Sequence, residues 1–453
     1  MKRIISILLA LFLLLTGCTK EPISESSLPE QTTASITTTT EKESTETTLL
    51  PSEQNSTSVT ESTATTLSSQ TVITTTTTKK TTKSSTTTTT KINETPWYTP
   101  GEITITKAEV NQILSQTYKK PKNIIYMIGD GMGANDIILS ERFSEQCFSF
   151  GLVLNQIPMH GLVETHSANN PVTDSAASGT ALATGVKTNN GLVGKTPDLV
   201  DIQNLSEIAR SYNKKVGIVT NDYIVGATPS AFTVHNENRE NYAELTDSII
   251  GFMPDVLIGT KPPVSFVDSL SKENASKLAK ILMPEFSEIN AVLSTDPDCK
   301  KPLLHFLKNV SFEKAENSLA YCTEIALNRL KNDNGFFLMV ENAVTDKAGH
   351  NNNIKGKIDG VVTLDRAVAV VLKFMKENPD TVLIITSDHE TGGVKLPADG
   401  VTPSNELFTT VAHTDTKVRV FAVGFGAQYF NNRTMDNTAI AKFVINAVKG
   451  KLN

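Results

Sequence analysis

The chain has 453 residues, 42 of them basic and 48 acidic, for a net charge of −6. So mild a balance singles out neither nucleic acid nor an anionic membrane surface as an electrostatic partner. The cysteines at 18, 147, 299 and 322 show no CxxC spacing, which argues against both a thiolate metal centre and a disulfide framework.

Met1-Lys2-Arg3 precede an unbroken apolar run from Ile4 to Leu15, the pattern of a secretory signal and too short to span a bilayer. Leu15-Thr16-Gly17-Cys18 follows and looks like a bacterial lipobox. Residues 1–17 are therefore expected to be removed and Cys18 to be acylated, which would anchor the mature chain to the membrane outside the cytoplasm. Residues 18–96 are dominated by Thr and Ser, with runs at Thr74–Thr78 and Thr86–Thr90. Such a tract cannot bury a core and reads as a disordered stalk. A stalked surface adhesin is the rival reading from another functional class.

Residues 97–453 suffice for one large domain. Short apolar runs at Asn123–Ile128, Lys215–Thr220, Phe336–Val340, Val382–Thr386 and Val418–Val423 predict strands buried on both faces. Helical periodicity at Lys357–Lys376 and Thr438–Val448 predicts helices that cover them. The expected fold is α/β, a three-layer α/β/α sandwich around a mostly parallel sheet. The segment 261–334 has weaker strand signals and is expected to be a helical insertion or cap.

Acidic and histidine residues gather just after the predicted strands, where parallel sheets place their ligand sites. The first strand runs into Gly129-Asp130-Gly131-Met132-Gly133. Another ends in Glu341 and leads through Asp346 to His350, and a third ends in Asp388-His389-Glu390-Thr391-Gly392-Gly393. Any one of these strings suits an ordinary turn or a structural histidine. Three such strand ends in one chain point to metal sites, because mixed carboxylate and imidazole donors suit zinc and carboxylates with a hydroxyl suit magnesium. The small-residue run Thr173-Asp174-Ser175-Ala176-Ala177-Ser178-Gly179-Thr180 predicts a helix that begins near Ser175. Free amides there would favour an alkoxide and an incoming phosphate, although small residues also serve close packing.

Together these strings, with Ala227-Thr228-Pro229, His235, Arg239 and His413-Thr414, resemble the alkaline phosphatase family in order from Lys122 to the C-terminus. The resemblance implies hydrolysis of small phosphomonoesters through a transiently phosphorylated Ser175. It implies two Zn²⁺ and one Mg²⁺ per chain: one zinc on Asp346, His350 and His413, a second on Asp130, Asp388 and His389, and magnesium on Asp130, Thr228 and Glu341. Arg239 would clamp phosphate oxygens and Asp174 would orient it. Homodimers are common in the family. His160, His166 and His235 fall outside the ligand strings and read as structural. Sulfatases of the same superfamily need Pro and Arg soon after the nucleophile, and Ser175-Ala176-Ala177-Ser178-Gly179 has neither. One departure stands out: Gly226 precedes Ala-Thr-Pro where bacterial members typically carry Asp, which leaves Lys347 expected to be unpaired and magnesium loosely held.

Overall fold

The computed structural model describes residues 105–146, 151–284, 301–308 and 319–452, all within one compact unit, Thr89–Asn453. The signal segment, Cys18, the stalk, Cys147 and Cys299 lie outside the described residues. Among the described residues no helix is long and apolar enough to cross a membrane.

The strands are β1 (Asn123–Gly129), β2 (Met159–Glu164), β3 (Lys215–Tyr223), β4 (Val256–Thr260), β5 (Leu303–Leu307), β6 (Phe336–Asn342), β7 (Thr381–Thr386), β8 (Glu390–Thr391), β9 (His413–Thr414), β10 (Val418–Val423) and β11 (Thr434–Asp436). Nine of them form one sheet in the order β11-β2-β10-β7-β1-β6-β3-β4-β5, while β8 and β9 pair separately. The six strands from β7 to β5 are mutually parallel, and β10 runs against both its neighbours. The sheet is therefore mostly parallel, as the continuous apolar runs predict.

Every residue of β1, β6 and β7 is buried. Their side chains alternate between two cores, because successive residues of a strand point to opposite faces. Ile125, Met127, Leu338 and Val340 join one cluster with the helices Leu319–Leu330 and Ile354–Glu377. Ile124, Tyr126, Phe337 and Met339 join the other with the helices Ser175–Thr184, Leu205–Ser211 and Asn437–Val448. Helices thus cover both faces, giving the three-layer α/β/α sandwich.

Within 261–334 the described residues contain β5, which extends the sheet edge beside β4, and the helix Leu319–Leu330, whose Ile325, Leu327 and Leu330 enter the core. That much of the segment is integral to the sandwich. The helix Lys272–Lys277 is the short helical piece that precedes them.

Candidate active site

The central parallel strands deliver the acidic residues to one edge of the sheet. Ile128 of β1 lies opposite Glu341 of β6 on one side and Thr386 of β7 on the other, so Asp130, Glu341 and Asp388 emerge side by side. In the helix Val344–His350, Asp346 and His350 are four residues apart and share a face. The short β8–β9 pairing brings Thr391 opposite His413, which ties the last histidine to the Asp388-His389 string.

Ser175 opens the helix Ser175–Thr184, capped by Asp174, whose Oδ1 accepts from Ala177 N at 2.9 Å. All ten residues of this helix are buried. Its small residues admit a neighbour: a Cβ at Gly179 would lie 3.2 Å from Ala231 Cβ and 3.4 Å from Thr228 Cα. Close packing and the presentation of Ser175 are here the same feature, since the helix that packs against it carries Thr228. The other carboxylate oxygen of Asp174 accepts from Gly191 N at 3.0 Å and from Arg239 Nη1 at 3.1 Å. Arg239 is thereby fixed beside the nucleophile position.

The histidine ring nitrogens test whether the donors fit metal ions. His350 Nδ1 lies 2.6 Å from Val411 O, and His413 Nδ1 lies 2.9 Å from Thr173 O. A carbonyl only accepts, so each Nδ1 carries a proton, and in the neutral form of each ring the Nε2 lone pair turns inward. Those lone pairs face each other at 3.1 Å, and Asp346 Oδ1 lies 3.3 and 3.4 Å from them. Two imidazole lone pairs and a carboxylate oxygen converge with no proton between them, an arrangement that a cation satisfies. Asp346 and His413 together with His389 offer ligand atoms within 4.8 Å of one another, and so do Asp130, Asp388 and His389. His389 Nε2 lies 3.2 Å from Asp388 Oδ2, 3.6 Å from Asp130 Oδ1 and 3.1 Å from Ser175 Oγ. Both carboxylate oxygens are buried without a hydrogen-bond partner, as is Thr228 Oγ1. Imidazole with carboxylate suits zinc, and the all-oxygen group of Asp130, Thr228 and Glu341 suits magnesium.

Electrostatics agree with this fit. Burial, reinforced by Asp388, Asp346 and Glu341, pushes the Asp130 carboxyl well above its ordinary range. Burial and then Asp346 raise Asp388 to about 6, and burial and then Asp222 raise Glu341 to about 8. Crowded buried carboxylates resist ionisation unless positive charge joins them. Burial and the neighbouring His413 hold His389 well below its usual pKa, so it stays neutral. At His413 burial is outweighed by the hydrogen bond with Asp346, which raises its pKa. A proton and a metal ion therefore compete for the same lone pair.

The remaining expectations divide. His235 is engaged by Gly194 O and Glu207, and His166 by Asp436, away from the ligand clusters. Lys347 departs from expectation: it is not unpaired, because Asp222 of β3 accepts its ammonium. Gly226 has an ordinary φ of −53°, and a Cβ there would meet Asp222 Oδ2 at 3.5 Å. The carboxylate missing at 226 is thus supplied from four residues earlier. Four further residues escape a reading by motif. Thr220 donates to Glu341 from the position directly opposite in β3. Lys357, fully buried, donates at 2.8 Å both to Asp136 and to the carbonyl of Gly131 in the Asp130 turn. Thr391 bridges Asp346 and His389. Glu390 accepts from Gly393 N and from Thr414, linking β8 to β9. Glu390 and Thr391 lie inside a string already singled out, and adjacency to His389 is the signal that would have found them.

Metal-ligand side chains at the carboxyl ends of a mostly parallel sheet, converging on a serine at a helix N-terminus, define a metal-binding α/β hydrolase. Comparison with known proteins gives the family. The sequence model described as alkaline phosphatase matches residues 121–253 and 304–408. Alkaline phosphatase 4 of Bacillus subtilis is 32% identical over 319 residues, 65% of this chain and 68% of the relative. The Escherichia coli alkaline phosphatase is 27% identical over 387 residues, 72% of this chain and 81% of the relative. The solved alkaline phosphatase of the Antarctic bacterium TAB5 superposes with a TM-score of 0.63 at 28% identity, covering 74% of this chain and 99% of that one. A mutant of that enzyme, with a TM-score of 0.62, is described with Mg bound in the M3 site. The chain belongs to the alkaline phosphatase family and is a phosphomonoester hydrolase.

Proposed function

We propose that the chain hydrolyses small phosphate monoesters in two displacements through phosphorylated Ser175, using two zinc ions and one magnesium, outside the cytoplasm on a lipid anchor at Cys18. The observation that carries the mechanism is the buried Ser175 hydroxyl at the first turn of its helix, 3.1 Å from His389 Nε2 and among the converging acceptors. When bound, the metal ions supply Lewis-acid charge that neutralises the phosphate dianion and lowers the pKa of a coordinated hydroxyl.

The chain's own residues do the rest. The helix amides around Ser175 favour its alkoxide. Arg239, held by Asp174, offers a planar fork to two phosphate oxygens. As Ser175 Oγ bonds to phosphorus, the bond to the leaving oxygen breaks, and the proton lost by the serine is balanced by the one the alcohol gains. Water then cleaves the phosphoserine, restoring the hydroxyl and releasing inorganic phosphate. Asp346, His350 and His413 would hold one zinc, Asp130, Asp388 and His389 the other, and Asp130, Thr228 and Glu341 the magnesium. The apolar run before Cys18 supports export and anchoring.

The test is acid trapping of phosphoenzyme in Ser175→Ala alongside the parent. The parent should label. The mutant should not, and should lose nearly all turnover at unchanged metal content. A mutant that still labels, or keeps near-native turnover, overturns the assignment.

A further inference from the structure

Thr391 sits where the two zinc-ligand clusters meet, and its hydroxyl touches one member of each. It lies 2.6 Å from Asp346 Oδ1 and 3.2 Å from His389 Nδ1, and the residue is wholly buried. A hydroxyl has one proton to give. The shorter contact, to the Asp346 carboxylate oxygen, takes that proton. The hydroxyl lone pair is then left to accept from His389 Nδ1. With its proton on Nδ1, the neutral ring must present a lone pair at Nε2, the atom nearest Asp388 Oδ2, Asp130 Oδ1 and Ser175 Oγ.

The surroundings are shaped to this side chain. A Cβ on Gly131, which has φ +68°, would come within 2.8 Å of Thr391 Oγ1, and one on Gly349 within 2.8 Å of its methyl carbon. Thr391 N also donates to Gly131 O at 3.2 Å. One residue therefore spans the Asp130 turn, the Asp346 helix and the His389 string.

We propose that Thr391 is a positioning residue of the reaction: its hydroxyl passes a directed hydrogen bond from His389 to Asp346, fixes the His389 tautomer with Nε2 free to ligate, and couples the two metal sites. This rests on the metal reading above. The methyl group alone cannot perform the role, so Thr391→Ser should keep it and the near-isosteric Thr391→Val should lose it.

Two measurements decide. In chelator competition on zinc-loaded protein, Thr391→Val should release zinc about 10 to 100-fold more readily than the parent, as expected for loss of a partner that orients a metal-ligating histidine. Thr391→Ser should follow the parent. In metal-stripped protein, nitrogen NMR of the His389 ring, assigned by its loss in His389→Asn, should show the proton on Nδ1 in parent and Thr391→Ser, and a mixture of tautomers in Thr391→Val. Identical zinc release and identical tautomers in all three proteins overturn the proposal, and so does equal impairment of the Ser and Val variants. A parent that binds no zinc overturns the metal reading instead, and the tautomer measurement still judges the hydroxyl bridge.

Discussion

Asp222, near the end of β3, pairs with Lys347 on the helix that carries Asp346 and His350, across 125 residues of sequence. The pair fits glycine at 226: a Cβ there would lie 3.1 Å from Tyr223 O and 3.5 Å from Asp222 Oδ2, so the space beside it is already bordered by the Asp222 turn. Asp222 also contributes to the raised pKa of Glu341, so its charge is felt at that buried carboxylate.

Asp222→Asn should free the Lys347 ammonium to attract the phosphate dianion and should weaken magnesium. Lys347 is half-exposed, and such pairs are worth about 1 kcal/mol or less, so inhibition by inorganic phosphate should tighten by no more than about fivefold. Adding Gly226→Asp to that variant should reverse the change, because φ at 226 suits a side chain and the Tyr223 carbonyl, 3.1 Å from an added Cβ, need give by only a few tenths of an ångström. Phosphate inhibition constants across a magnesium titration check this. Superimposable curves for parent and Asp222→Asn would show that the pair does not reach the site.

Lys357→Met should be strongly destabilising. The ion pair of Lys357 with Asp136 has both side chains only 1% exposed, and breaking such a pair strands a buried charge at a cost of about 3 to 5 kcal/mol. Burial already pushes the Asp136 carboxyl up despite Lys357. Replacing both partners, as Lys357→Met with Asp136→Leu, should recover part of the loss in urea unfolding. The Gly131 carbonyl would still lack its donor, so zinc retention should recover less than stability. Full recovery of both would mean that Lys357 does not support the Asp130 turn.

His413→Ala should reduce zinc content after dialysis although this residue lies 63 positions from His350. It removes one of three converging acceptors and leaves His350 Nε2 and Asp346 without their third partner. The fold should survive, since His413 lies in a two-residue strand outside the main sheet. Zinc content equal to the parent would remove His413 from the ligand set.

What the sequence disclosed follows from what is local in it. β1, β3, β6, β7 and β10 are continuous apolar runs, and buried parallel strands announce themselves in that way. β2 alternates buried and exposed residues, while β5 is a five-residue edge strand flanked by segments rich in Pro and Lys, so neither stands out. The ligand carboxylates and imidazoles are legible because each lies in a short string after a strand. Thr220, Asp222 and Lys357 are not, because their meaning depends on register and distance. Thr220 matters only because β3 pairs with β6 so that it faces Glu341, and Lys357 reads as one more polar residue on a long helix until its partner 221 positions away is known. Gly226 misled for the same reason: its compensation lies at 222 and is visible only in three dimensions.

Asp365 is a buried carboxylate remote from the ligand strings. It lies on the helix Ile354–Glu377 and accepts from Val153 N at 3.0 Å and Leu154 N at 2.7 Å. Those amides favour the charged form, but burial outweighs them and, with a smaller contribution from Glu141, raises the carboxyl from an ordinary 3.8 to about 7. A raised carboxyl pKa means that the unfolded chain ionises first. Between about pH 4 and pH 7 the folded state keeps a proton that the unfolded state has released, so this group's contribution to stability falls as pH rises, by at most about 1.4 kcal/mol per pH unit, and is level above 7. Asp365→Asn cannot ionise and leaves one of the two amides poorly matched. The mutant should therefore be less stable than the parent near pH 4.5, and the gap should narrow steadily toward pH 8. Urea midpoints for both proteins, measured at constant ionic strength across that range, give the difference with the other titrating groups cancelled. A gap that stays constant with pH would mean that Asp365 is ionised throughout, its two amides outweighing its burial.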